Sequence, residues 1–149
     1  QLAQLAKSDP KKGTNSLYIN EQLSRIDYLF KTRFKCLAVS HNGSLVELKD
    51  DKYVGKEIPR RSYDKFISKN IEDGIPLLWA MELGLKTEDP EINPQASGGH
   101  MRMIHGYNKE ENKIVFTDSW GAGHEFKTMD ADDAYEVTRG LYIMTPTVN

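Results

Sequence analysis

Residues 100–118 constrain the chain more than any other stretch. Two β-prone runs, 100–107 and 113–118, flank the polar segment Asn108-Lys109-Glu110-Glu111-Asn112. Runs of that length around a turn of that composition predict two adjacent antiparallel strands. The turn centre lies near residue 110, so His100 and Asp118 fall at the same end of the pair. The rest of the second half continues in β fashion, with a glycine- and aromatic-containing loop over 119–126. Asp130 is placed to cap a short helix running through Val137, and a last strand covers 141–144.

The first half reads differently. Leu2, Leu5 and Ala6 sit at helical spacing, and Ser8 to Gly13 break that helix. Asn15 or Ser16 caps a second helix with Ile19, Leu23, Ile26, Leu29 and Phe30 on one stripe. Two β-prone runs, 34–40 and 44–48, meet across Asn42-Gly43, the signature of a tight primed hairpin turn. Residues 50–59 read as a charged connection. A third helix starts near Ser62, turns Tyr63, Phe66, Ile67 and Ile71 inward, and ends at Gly74. Ile75 to Met81 follows as a continuously apolar strand, which predicts cover on both faces. Residues 82–99 read as a long loop, a length that is often functional. Helices first and an antiparallel β unit second give an α+β class.

Composition narrows the function. The 149 residues carry a net charge of −2, which argues against a domain that grips nucleic acid through its phosphates. No apolar run approaches the roughly 20 residues of a membrane span. A single cysteine excludes an internal disulfide and any zinc site built from several thiolates. No signal peptide is visible, and residue 1 is not Met. Localisation stays open, with a secreted or cell-envelope setting favoured.

Two motifs carry chemistry: Gly98-Gly99-His100 through Gly106-Tyr107, and Asp118-Ser119-Trp120-Gly121. A histidine beside a carboxylate is held in one tautomer, and its imidazolium is stabilised. Such a histidine takes a proton from a nucleophile and returns it to the leaving group. An indole over the pair excludes water and strengthens the bond. His105 has the opposite strand parity to His100, so it reads as structural. His124 reads as an exposed loop histidine, and Trp79 as core. The histidines and Asp118 lack a tight ligand spacing, so no metal or other cofactor is expected.

These motifs resemble the papain-like cysteine peptidases, whose His, five residues, Gly-Tyr and Asn-Ser-Trp-Gly occur in the same order. Asp in place of Asn resembles the bacterial relatives that process double-glycine leader peptides, as does the Gly-Ile-Pro of residues 74–76. The resemblance covers 71–145 well and the first half weakly. It implies that His100 and Asp118 are catalytic. It also implies that Trp120 shields them, that Gly99 and Gly121 shape the site, and that the substrate is a peptide or protein.

The family's nucleophile is a Cys at the start of a long helix. Here the one cysteine, Cys36, precedes a β-prone run and lies 64 residues before His100; papain-type spacing is roughly 130–150. The expectation is a single papain-like domain over 1–149 whose helical part is incomplete, with the nucleophilic Cys outside this chain. Three alternatives stand beside it. Cys36 itself attacks; the domain is an inactive papain-like module that binds peptide or protein partners; or it is a transglutaminase-like acyltransferase.

Overall fold

A computed structural model describes residues 31–50, 52–91 and 97–147, together with Lys7, Asp9, Lys11 and Tyr28. The two helices expected before residue 31 lie outside the described residues. The chain divides into two compact units, Cys36–Ile143 and Gln1–Lys35 with Met144–Asn149. In the second unit the Thr147 N–H meets the Lys31 carbonyl at 2.9 Å. The first unit holds both His100 and Asp118.

The described elements follow the order β1 (Thr32–His41), β2 (Ser44–Lys49), β3 (Lys52–Glu57), α1 (Arg60–Glu72), β4 (Leu77–Leu83), β5 (Gly98–Asn108), β6 (Lys113–Thr117), β7 (Lys127–Asp130), α2 (Ala131–Val137) and β8 (Thr138–Pro146). The eight strands form one sheet in the order β3-β2-β1-β8-β4-β5-β6-β7. The neighbours β1–β2, β2–β3, β4–β5, β4–β8, β5–β6 and β6–β7 are antiparallel. Among the described residues, a mostly antiparallel sheet with two helices gives an α+β architecture.

Local chemistry explains most boundaries. Asn42 and Gly43 both take positive φ, 51° and 81°, as a type I′ hairpin turn requires. Helix α1 ends in a Schellman motif: Ile75 N–H reaches the Asn70 carbonyl at 2.8 Å and Gly74 N–H the Ile71 carbonyl at 3.0 Å. Gly74, at φ +75°, supplies the left-handed residue. Helix α2 begins where the Asp130 carboxylate accepts the Asp132 N–H at 2.8 Å.

Three expectations change. Residues 52–57 are not a connection but an edge strand, exposed along its whole length. Its charges could read as a loop because an edge strand needs no apolar face. Residues 127–130 form β7, missed because Lys127-Thr128-Met129-Asp130 shows no apolar alternation. Strand β4 is not deeply covered on both faces. Leu77, Trp79, Met81 and Leu83 are buried, while Leu78, Ala80 and Glu82 are half-buried.

The buried face of β4 meets the helices. The Thr138 hydroxyl lies 2.8 Å from Trp79 Nε1, 3.0 Å from the Tyr63 hydroxyl and 2.7 Å from the Ala134 carbonyl. It ties strand, α1 and α2 together and satisfies the indole N–H inside the core. Phe116 packs edge-on against Trp79, ring centroids 5.3 Å apart. Trp79 is fully buried, as a core residue should be.

Candidate active site

Strand register decides which side chains can meet. Met81 lies opposite His100, Trp79 opposite Arg102 and Leu77 opposite Ile104. Directly opposed residues share a face, so His100 and Arg102 project on the core side of β5. Between β5 and β6, Met103 pairs with Thr117, and an irregularity lies between Ile104 and Gly106. The ladder stops at Thr117, and Asp118 follows it. The Asp118 N–H bonds the His124 carbonyl at 2.9 Å, which fixes the backbone where its side chain leaves the sheet.

There the structure brings His100 and Asp118 together. His100 Nε2 lies 2.9 Å from Asp118 Oδ1 and 3.1 Å from Oδ2. The Asp118 side chain is 0% exposed and that of His100 is 19% exposed. Burial pushes the Asp118 carboxyl up, but hydrogen bonds from His100 and Arg102, and their charges, outweigh it and hold it below the ordinary aspartate value. An ionised carboxylate only accepts, so the shared proton belongs to Nε2 and the neutral ring keeps its lone pair on Nδ1. Trp120 lies against the imidazole with centroids 4.7 Å apart and an interplanar angle of 33°. At 42% exposure, the indole sits between the ring and solvent.

The glycines divide. Gly121 takes φ +93°, which favours glycine, and its carbonyl accepts the His124 N–H at 3.1 Å, closing a turn behind Trp120. Gly99 lies in β5 opposite Glu82, and a methyl group added there would meet open space. Its neighbour Gly98, at φ +118°, is the one whose backbone calls for glycine.

Several expected or rival residues lie elsewhere. His124 is buried, not exposed: its ring stands edge-on to Trp120 at 5.6 Å. His105 meets neither His100 nor Asp118 in ring contact; its aromatic neighbour is Phe126 at 6.0 Å. Cys36 lies on β1, and β8 and β4 intervene before β5. Three strand spacings amount to about 14 Å, too far for Cys36 to give its proton to His100 directly.

Sequence reasoning missed three charged side chains beneath the pair. Arg102 Nε donates to Asp118 Oδ2 at 2.7 Å, and its side chain is 0% exposed. Its Nη1 and Nη2 face the two oxygens of Glu88, Nη2 at 3.2 Å. Glu88 also pairs with the fully buried Lys127 ammonium. The long 82–99 segment delivers Glu88. Next to it, Asp89 exchanges backbone hydrogen bonds with Thr128 of β7 at 2.9 and 2.7 Å, which pins the loop to the sheet. One signal was available for Arg102: it shares strand parity with His100. Glu88 and Lys127 carried none, because their placement depends on a loop path and on a strand without alternation.

Among the described residues no helix is long and apolar enough to cross a membrane. No curated protein and no solved structure gave a significant match to the chain. A family model does match, over residues 36–143, from Cys36 on β1 to Ile143 on β8. That span is well over half of the sequence and includes both motifs, so the chain belongs to the Peptidase_C39 like family.

Proposed function

We propose that this domain supplies the His–Asp half of a papain-like cysteine peptidase. His100 is the general base and acid, Asp118 orients it, and Trp120 shields the bond between them. The observation that carries the reading is the His100 Nε2–Asp118 Oδ1 contact of 2.9 Å under the Trp120 indole. It leaves Nδ1 as the nitrogen that exchanges protons. The family membership and the antiparallel sheet with α1 and α2 on its core face support a papain-like arrangement and a peptide or protein substrate.

In this reading the nucleophile is a thiol from outside this sequence, since Cys36 lies three strands away. His100 Nδ1 takes the thiol proton, and the thiolate attacks the scissile carbonyl. The imidazolium, stabilised by Asp118, then protonates the departing amine as the C–N bond breaks and a thioester remains. Water deprotonated by Nδ1 hydrolyses the thioester and restores the thiol.

A second reading, an inactive papain-like module that binds peptides, is favoured by the distance of the sequence's one cysteine from His100. Labelling the full-length protein with a thiol-directed peptidase probe, then mapping the modified residue, separates the two. The peptidase reading expects His100-dependent labelling of a cysteine outside residues 1–149. Labelling at Cys36 overturns it, and no labelling together with peptide binding supports the inactive module.

A further inference from the structure

Arg102 is a charged side chain that the proposed reaction does not use, and it is completely enclosed. Its guanidinium lies between two carboxylates, with Nε on Asp118 and both Nη atoms on Glu88. Phe116 and Trp120 flank it, with Cζ 4.9 and 5.8 Å from their ring centroids. Behind Glu88 sits the buried Lys127. From Lys127 to Asp118 the charges alternate in sign, and all four side chains are buried. Burying such a row carries a large desolvation penalty for each ion, and packed apolar residues of similar volume would often be as stable or more so. The arrangement therefore calls for an explanation other than stability.

Geometry supplies one. A carboxylate bonded only to His100 could rotate about its Cβ–Cγ bond and offer either oxygen, at varying angles. Arginine is suited to stop this, because its planar fork bonds two acceptors in fixed directions at once. We infer that Arg102 is a positioning residue for His100: it holds Asp118 by Oδ2 so that the carboxylate stays turned toward Nε2, with Oδ1 the nearer oxygen, and Glu88, braced by Lys127 and the Asp89–Thr128 bridge, holds the guanidinium from its far end. The consequence for catalysis rests on the peptidase reading; the consequence for the imidazole does not. The neutral His100 ring keeps its proton on Nε2 and its lone pair on Nδ1 for as long as Arg102 holds Asp118.

The test compares full-length wild type, Arg102→Lys and Arg102→Gln. The ring-nitrogen resonances of His100 report its tautomer, and kcat and KM are measured on the same samples. Lysine keeps the charge but is a single point donor that cannot face both carboxylates in the arginine geometry. The expected result in both variants is a mixture of His100 tautomers in place of one, with kcat lowered about 10²-fold and KM within about twofold. Wild-type tautomer and kcat in Arg102→Lys or Arg102→Gln overturn the inference. Should the variants fail to fold, hydrogen exchange at Arg102 Nε in the wild type decides. Slow exchange with a scalar coupling across the bond to the Asp118 carboxyl is expected, and exchange as fast as in an exposed arginine contradicts the inference. A wild type that cleaves no peptide but gives the expected ring signals ends the peptidase reading and keeps the positioning role. Turnover unaffected in the variants does the reverse.

Discussion

The two ends of the sheet treat charge in opposite ways. At the β2–β3 end, Lys49, Lys52, Lys56 and Glu57 stay in water, and β3 is exposed from Lys52 to Glu57. At the β5–β7 end, Glu88, Arg102, Asp118 and Lys127 are all buried. Charge at the first end keeps an edge strand from pairing with other chains and costs almost nothing. Charge at the second end must be paired, because an isolated buried ion would be prohibitively unstable. The difference shows where the molecule accepts a thermodynamic penalty. The four buried charges are contiguous, and they end on His100, which Trp120 also covers.

Substitutions at the two ends should therefore separate sharply. Lys127→Met leaves two buried carboxylates, Glu88 and Asp118, to share the one Arg102 guanidinium, and is expected to lower unfolding stability by about 3–5 kcal/mol. Lys49→Met, in water, should change it by no more than about 0.5 kcal/mol. Urea denaturation of both variants checks the pair, and similar values would break the contrast between the two ends.

The buried end should also give stability its acid dependence. The folded Asp118 carboxyl titrates below the ordinary aspartate value, so around that value the unfolded chain binds more protons than the folded one. The stabilisation is complete above the ordinary range and is lost as pH falls through it to the lower folded value. Asp118→Asn should flatten that part of a stability–pH curve. An unchanged acid limb would mean that Asp118 is not ionised against its partners.

A smaller effect separates two adjacent glycines. Gly98 holds φ +118°, so Gly98→Ala should cost about 1–2 kcal/mol. Gly99 has no left-handed φ and open space beside it, so Gly99→Ala should stay within about 0.5 kcal/mol. Thermal unfolding of the two variants would sharpen the account of which glycine the strand entrance needs.

What could be read in advance follows the same division. The Asn42-Gly43 turn, the Gly74 helix end and the Asp130 cap were legible because each depends on a local backbone demand that one residue type meets. The approach of His100 to Asp118 was legible because a short turn fixes the register of two strands. Arg102, Glu88 and Lys127 were not read, because nothing local marks a charge as buried. Arg102 looks like any polar residue on an alternating strand. Glu88 reaches the site only because Asp89 docks on Thr128, and Lys127 sits on a strand without apolar periodicity. His124 read as exposed for the same reason: its burial comes from the loop folding back beneath Trp120.

The central claim is that His100, held by Asp118, moves the proton in peptide-bond cleavage. Its most direct test is kcat/KM for peptide hydrolysis by the full-length protein and its His100→Ala variant. The account predicts a loss of at least about 10³-fold with the fold intact by circular dichroism. Hydrolysis within a few-fold of wild type would contradict it.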